Sequence, residues 1–553
     1  MNFKQKIIDL LKKETKLKEL QLEIPPDIGF GDYSFPCFQL SKQYTKEPHE
    51  IAKYLDDKLV VPNFLEKIEA TGPYLNFFIN KSQLAEKTIN QILKEKDKYG
   101  STDNKGKKAL VEHTSINPNA SPHVGRSRNA IIGDFFVRLL KFLNYKVETH
   151  YFVNDVGKQI SMLVLAAENK KNITFDKLLD LYVNINKEIE ENPELEQKVF
   201  DLLNKLENGD KEVKKKFKDI VDICIKGQTK ILNELDIGYD FFDYESIYLW
   251  NKRTEEILAQ LKKTNKLFED ADKRYVLNLK GYNLAMKEPV LVLTRADKTS
   301  LYPLRDLAYT IDKMKKNPKN NIIVLGEDQK LYFQQLKAAL DLLEKKAPEV
   351  IHYSFVLLSE GKMSTRKGTV VLLEDLMKEA LKKAEKELAK RYKKVDKNRA
   401  KSIAYGAIKY SLLKVSPDKN VAFNLDEALA FEGDTGPYIQ YTYARASSIL
   451  AKTKANLNKI AFNLLTECSE INLIKQLNQF PKIIDDSLKQ LKPNIVANYA
   501  YLLAQSFTEF YHNCPVKDAE QELKKARIAL VKATKQVIKN ALNILGIEAP
   551  DQM

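Results

Sequence analysis

The sequence predicts a multidomain α/β protein. A parallel-sheet domain with a helical insertion stands at the centre, between a small α/β domain and an all-α domain. Three observations predict this. From about residue 106, apolar strand-like runs alternate with glycine-bearing turns and helical periods, the pattern of βαβ units. A heavily charged, helix-periodic stretch from about 155 to 250 interrupts that alternation. Beyond about Lys390 only helical periods remain.

Bulk properties agree. A chain of 553 residues has room for about three or four domains. Its 44% hydrophobic content suffices for real cores and excludes global disorder. The net charge of +15 and pI of about 9.1 suit a polyanionic partner, although lysine spread along the whole chain gives the same charge without one. Cys37, Cys224, Cys468 and Cys514 form no CxxC pair and have no histidine at zinc spacing. They read as core thiols of a reducing compartment. No apolar run approaches membrane-spanning length, so a soluble, cytoplasmic protein without membrane contact is expected.

The elements follow in order. Residues 1–105 are expected to form the first domain. "MNFKQKIIDLLKKETKLKEL" has amphipathic helical spacing and lacks the unbroken apolar run of a secretory leader. "ATGPYLNFFIN" alternates like a strand after a Gly-Pro turn, and polar "DKYGSTDNKGKK" (Asp97 to Lys108) reads as a linker. Residues 106–400 form the second domain. "ALVEHTS" is a short strand, followed by a loop, a helix from about Gly125 to Leu143, and the strand "YKVETHYFVND". This is a βαβ unit, hence a Rossmann-type parallel sheet. The insertion follows. "EPVLVLTRADKTSLYPLRDLAYTIDKM" and "NNIIVLGEDQKLYFQQLKAAL" then resume the sheet pattern. Residues 401–553 form the helical third domain. The lysine-dense run from Lys378 to Lys401 reads as a solvated helix face.

Chemistry concentrates in two loops. "SPHVGRSRNAIIGD" (Ser121 to Asp134) places a His-x-Gly-Arg turn between a strand and a helix. The N–H groups and dipole of such a helix favour phosphate, and Gly125 permits close approach. His123 and Arg126, three apart, share a face of the first turn and can both donate to phosphate oxygens. "GKMSTRKG" (Gly361 to Gly368) brackets Lys362, Ser364, Arg366 and Lys367 between glycines. It suits either a loop that closes over a triphosphate or a basic surface hairpin. Together the two are more specific than either alone.

These two motifs resemble the signatures of class I aminoacyl-tRNA synthetases, His-Ile-Gly-His and Lys-Met-Ser-Lys-Ser. Within the class the chain resembles arginyl-tRNA synthetases over nearly its whole length. The resemblance rests on "INPNASPHVGR", "FVNDVGKQI", "LYPLRDLAYTID", "FEGDTGPYIQYTYARASSIL", "YLLAQSFTEFYHNCPV" and "ALNILGIEAPDQM", with "GDYSFPCFQLSK" and "GPYLNFFIN" in the N-terminal part. It implies ligation of arginine to its tRNA through an arginyl-adenylate, with ATP and Mg²⁺. Gly125 would belong to the catalytic turn with His123 and Arg126. Glu112, Asn117, Tyr302, Asp306 and Gln329 would line the arginine pocket. Read without the resemblance, Tyr302 and Asp306 are first of all a core aromatic and a solvated acid at a helix start. Asn154, Asp155 and Gln159 either reach the site or cap the following helix. Tyr438, Gln440, Tyr441 and Arg445 would meet the anticodon, a minority of the aromatics touching RNA. The N-terminal domain would meet the corner of the tRNA. A monomer is expected.

The chain departs from the pattern twice. Arg126 stands where the first signature ends in histidine, and Thr365 stands where the second has its second lysine. The stretch "NPNASPH" carries no compensating lysine. Arg126, with Arg366 or Lys367, is expected to supply the missing charge. Two other functions stay open on sequence alone: a synthetase-like protein that binds tRNA without activating arginine, and another nucleotidyltransferase of this fold.

Overall fold

The computed structural model describes residues 3–17, 19–25, 27–119, 121–168, 170–316, 318–358, 371–453 and 456–553. The N-terminal domain packs helices Phe3–Thr15 and Pro48–Lys58 with a three-stranded antiparallel sheet. Tyr74–Ile79 lies between Tyr33–Pro36 and Leu65–Thr71. Gly31 enters this sheet at φ +96°, where a Cβ would sit 2.9 Å from the Phe77 carbonyl oxygen, so only glycine fits.

The stretch read as a linker starts as a docked element. Tyr99 is buried, stacks on Phe480 with centroids 6.1 Å apart, and donates its hydroxyl to the Leu477 carbonyl at 3.0 Å. Aromatic burial with a satisfied hydroxyl fixes this segment against the C-terminal helices.

The central sheet has five strands, all parallel. Its order is Glu349–Tyr353, Asn320–Gly326, Lys108–Glu112, Lys146–Val153, Phe241–Tyr244. The first strand in sequence is central, and the chain fills one side and then the other. The loops after Lys108–Glu112 and Asn320–Gly326 therefore diverge, which opens a crevice at the carboxyl ends of the strands. The helix Val124–Phe142 follows the first of these loops, and most of it is buried. The expected multidomain architecture, Rossmann-type sheet included, is present.

Three sequence expectations change. The insertion contributes helices Lys158–Ala167, Phe175–Glu191, Pro193–Glu207 and Lys211–Glu234 around their own core of Ile160, Leu163, Leu178 and Phe217. Within the same 155–250 span, however, Phe241–Tyr244 returns as the sheet's edge strand. "EPVLVLT" belongs to a separate antiparallel sheet of Leu267–Glu269, Tyr275–Asn278 and Val290–Val292. The helical tail also contains a strand, Val421–Phe423, paired parallel with Val356–Leu358. Each strand has three or four residues, too short for periodicity to register.

Helices Lys397–Leu413, Gly436–Lys452, Cys468–Gln490, Asn494–Asn513 and Gln521–Ile544 build the C-terminal part. Their core is continuous with that of the N-terminal domain and the Val124–Phe142 helix. Cys37, Cys224 and Cys514 are buried, whereas Cys468 is exposed at a helix start. Among the described residues no helix is long and apolar enough to cross a membrane.

Candidate active site

The first motif lies at the crevice. His123 is the extended N-cap of the helix Val124–Phe142, and its Nδ1 accepts the Arg126 N–H at 3.3 Å. Burial, helped by the Arg126 cation, lowers the His123 pKa. A neutral ring whose Nδ1 accepts keeps Nε2–H as a donor. A Cβ on Gly125 would lie 3.1 Å from both His123 Cε1 and Nδ1, so glycine leaves the ring its place. Not all first-turn N–H groups are available to phosphate. Val124 N–H donates to the Val371 carbonyl at 3.0 Å, and Arg126 N–H is engaged with His123.

The second motif falls outside the described residues, with Lys362, Ser364, Arg366 and Lys367 among them. Both of its flanks are described. On the far side, Leu373 N–H donates to the Pro122 carbonyl at 2.8 Å, and His123 and Leu372 form an antiparallel bridge. On the near side, Val356–Leu358 pairs with Val421–Phe423. The segment carrying the second motif thus leaves from a paired strand and rejoins at the first motif's own turn.

Arg128, two residues past Arg126, ties these parts together. It is fully buried. Its Nη1 donates to the carbonyls of Ser354 (2.8 Å) and Lys419 (2.7 Å), and its Nη2 to those of Val415 (3.3 Å) and Ser416 (2.9 Å). Burial draws its pKa down to about 10.

Two acids come together where the central strand leads into the first motif's loop. Glu112 ends the central strand and is buried. Its Oε2 pairs with Lys313 and accepts the Tyr309 hydroxyl at 3.1 Å. Its Oε1 has no hydrogen bond to any described residue. Asp306 lies on the helix Tyr302–Met314, the same helix as Tyr309 and Lys313. It accepts the Tyr332 hydroxyl at 2.7 Å and the Thr310 hydroxyl at 3.3 Å. Burial, reinforced by the nearby Glu112 charge, raises the Asp306 pKa. Tyr302 is 55% exposed, with its ring 5.1 Å from that of Tyr332, so it stands at the mouth and is not a core aromatic.

Asn117 and Gln159 meet: the Asn117 amide donates to Gln159 Oε1 at 3.1 Å, and Asn119 donates to the same oxygen at 3.0 Å. Gln329 is exposed and donates to Asp328 at 2.8 Å, without a hydrogen bond to the acidic pair. Asn154 and Asp155 support a turn. Asp155 accepts the Ser246 N–H at 2.8 Å. Asn154, with its amide oriented to satisfy its neighbours, donates to Val156 O at 2.8 Å and Glu245 Oε2 at 2.9 Å. Glu245 in turn pairs with buried Arg305 at 2.7 Å, and burial pushes its pKa up to about 6.

In the C-terminal domain the expected RNA-facing set divides. Gln440 is fully buried and donates to Ser402 O (3.2 Å) and Glu548 O (2.8 Å). It locks the chain end to two helices, so its assignment to the anticodon is corrected. Its neighbours Ile439 and Tyr443 are buried as well, since the inward face of a helix takes consecutive turns. Tyr438 is half-buried against Tyr501 and donates to Thr508 at 3.1 Å. Tyr441 and Arg445 are half-buried as well. The Arg445 guanidinium lies 4.8 Å from the Tyr441 ring and 5.0 Å from that of exposed Tyr511.

Sequence reasoning missed Arg128, Tyr309, Lys313 and Tyr332. Tyr309 and Lys313 were within reach, because they follow Asp306 by three and seven residues on one helical face. Tyr332 comes from another helix, and nothing local marks it.

A parallel sheet with its first strand central, and a His-x-Gly turn at the switch point sewn to a second, basic, glycine-bracketed segment, defines a class I aminoacyl-tRNA synthetase. Comparison with known proteins narrows this. Residues 88–425 match the catalytic domain described as tRNA synthetases class I (R), residues 439–553 the DALR anticodon binding domain, and residues 1–79 the arginyl tRNA synthetase N terminal domain. The chain is 39% identical to an arginine–tRNA ligase of Methanocaldococcus jannaschii, covering 100% of both chains. It is 40% identical to that of Methanococcus aeolicus over 98% of this chain and 99% of the relative. Its fold superposes on the Thermus thermophilus arginyl-tRNA synthetase with a TM-score of 0.86, 26% identity and 100% coverage of each. The chain belongs to the arginyl-tRNA synthetase family.

Proposed function

We propose that the chain ligates arginine to its tRNA in two steps. The observation that carries this reading is the placement of a phosphate-type turn and an acidic pocket at the same end of one parallel sheet. In the first step the arginine carboxylate oxygen attacks the α-phosphorus of ATP. A new O–P bond forms, the bond to the β-phosphate oxygen breaks, and pyrophosphate leaves. His123 Nε2–H and Arg126 would donate to the α-phosphate oxygens as their charge grows. Lys362, Ser364, Arg366 and Lys367 would hold the leaving phosphates. In the second step the hydroxyl of the terminal tRNA adenosine attacks the activated carbonyl, and AMP leaves.

Glu112 and Asp306 would take the guanidinium, since a planar cation pairs directionally with carboxylates. Tyr302 would close over the side-chain stem, and Asn117, held by Gln159, would meet the α-amino end. Gln329 would join only when substrate draws it from Asp328. Tyr441 and Arg445, with Tyr511, would stack unpaired anticodon bases. Among the described residues no group of three His, Cys, Asp or Glu side chains could hold a metal ion. Mg²⁺ would enter with ATP, as part of that substrate.

The test is aminoacylation with labelled arginine, ATP and total tRNA. Charging is expected. Binding of tRNA without charging, or pyrophosphate release with a different small substrate, overturns the reading. Pyrophosphate exchange on Arg126→Ala and Arg366→Ala, with tRNA present, tests their roles. Near wild-type rates for both would sink the assignment of the missing charge.

A further inference from the structure

Glu112 has an unusual setting for a substrate-reading acid. It is 4% exposed, and a carboxylate that deep stays ionised only with a compensating cation. That cation is Lys313, itself 4% exposed, paired with Glu112 Oε2. Tyr309 completes the arrangement. Its hydroxyl lies 3.1 Å from Glu112 Oε2 and 2.8 Å from Asp243 Oδ2, and the Lys313 ammonium stands 4.1 Å from its ring centre. Asp243 also takes His150 Nδ1 at 2.6 Å. Both contacts to Glu112 use one oxygen, and Oε1 has no hydrogen bond to any described residue.

The charges of Glu112 and Lys313 are both felt at Asp306, and that of Lys313 at Asp243 as well, so one buried ammonium serves several carboxylates.

We propose that Lys313 is a positioning and specificity residue. It acts through Glu112, holding that carboxylate ionised and presenting Oε1 to the substrate guanidinium. This rests on the reading of the pocket as the arginine site. Lys313 does not touch substrate; it fixes the group that does.

The test uses the full chain in tRNA-dependent pyrophosphate exchange. Lys313→Met is expected to raise KM for arginine about 10- to 100-fold, the scale of one charged hydrogen bond, with KM for ATP within about twofold of wild type. Lys313→Arg, which keeps the cation, is expected to recover most of the loss. The pH profile separates positioning from a mere structural role. With its cation gone the buried carboxylate is disfavoured as an ion, so KM for arginine in Lys313→Met should climb toward acid pH. The groups facing Glu112 are Lys313, Tyr309 and Asp306 on the helix, with Asp243 and His150 on the neighbouring strands. Glu112→Gln/Lys313→Met retains all of these except Lys313, so an acid limb caused by His150 or Asp306 would persist in it.

The limb is expected to vanish in that double variant, and its KM for arginine should match Glu112→Gln alone. Equal changes in both KM values, no rescue by arginine, or a limb that survives in the double variant overturns the proposal. Failure of the wild-type chain to exchange pyrophosphate with arginine overturns instead the reading of the pocket.

Discussion

Arg128→Met tests whether the first motif's helix sets the base of the second. The guanidinium is fully buried and has no carboxylate partner among the described residues; four carbonyls of Ser354, Val415, Ser416 and Lys419 receive its N–H groups at 2.7–3.3 Å. Its pKa, drawn from the usual guanidinium range down to about 10, says that burial costs the charged form about 3 kcal/mol. Hydrogen bonds from a charged donor return about 1.5–3 kcal/mol each. Taking the lower end for all four, the arginine stabilises by about 3 kcal/mol net. Methionine keeps the packing of the stem and loses the bonds, so about 3 kcal/mol should be lost. That corresponds to a fall of about 6 °C in the unfolding transition of the catalytic domain, measured by calorimetry. The loss has an address. Ser354 N–H bonds Pro417 O at 2.9 Å, and Val421 N–H bonds Phe355 O at 2.9 Å, both beside the freed carbonyls. Hydrogen exchange at Ser354, Val421 and the paired strands Val356–Leu358 and Val421–Phe423 should quicken about tenfold or more, while amides of the helix Cys468–Gln490 stay unchanged. Arg128→Lys, which keeps the charge but offers fewer donors, should fall between wild type and Arg128→Met. A transition within about 1 °C of wild type, with unchanged exchange at those amides, would refute the clamp.

Three further outcomes follow from the C-terminal contacts. Lys409 is buried, donates to Gly546 O at 2.7 Å, and lies 3.9 Å from Asp134, with burial lowering its pKa to about 8. The unfolded chain then binds the extra proton between pH 8 and 10.5, so this residue's contribution is full above pH 10.5 and lost as pH falls through 8; wild type should gain on Lys409→Met by about 1 kcal/mol per pH unit between about 8 and 10, read from denaturation midpoints. Arg445→Ala should weaken tRNA binding about tenfold and flatten its salt dependence, with KM for arginine unchanged, whereas Gln440→Leu should lower the melting temperature and leave the salt dependence as it was; a salt slope that moves with Gln440 instead contradicts the division between the two faces.

The legible parts of this protein are local. The βαβ start could be read because a strand, a glycine turn and an amphipathic helix follow one another within one stretch, and the His123 cap is written in the same few residues. The edge strand Phe241–Tyr244 could not be read. It has four residues, lies beyond the insertion's four helices, and pairs with Lys146–Val153 only after the chain returns. The acidic pocket was half legible. Asp306 stands in a recognisable block, but Tyr332 reaches it from the helix Lys330–Leu342, and no local pattern says that two helices will cross there. Gln440 departs from the expectation for the opposite reason. A glutamine among tyrosines suggests RNA, yet its helix turns that position into the core, where carbonyls at a chain end need a donor.

The same distinction bears on the charge missing at Thr365. The first motif's turn offers two arginines two residues apart, and composition cannot choose between them. The structure separates them by what each already holds. Arg128 points into the protein, and its Nη1 and Nη2 donate to carbonyls, so it has little left for a phosphate. Arg126 is only half-buried, and its guanidinium makes no hydrogen bond or ion pair with any described residue. Its charge is felt at His123, Tyr151 and Tyr353, which surround the carboxyl ends of the strands where substrate would lie. A cation near a site with no partner among the described residues suits an interaction with substrate. Phosphate is the group in the proposed reaction that gains negative charge at that place. The arginine that breaks the family's signature is therefore the one the fold leaves available, and its neighbour is the one the fold consumes.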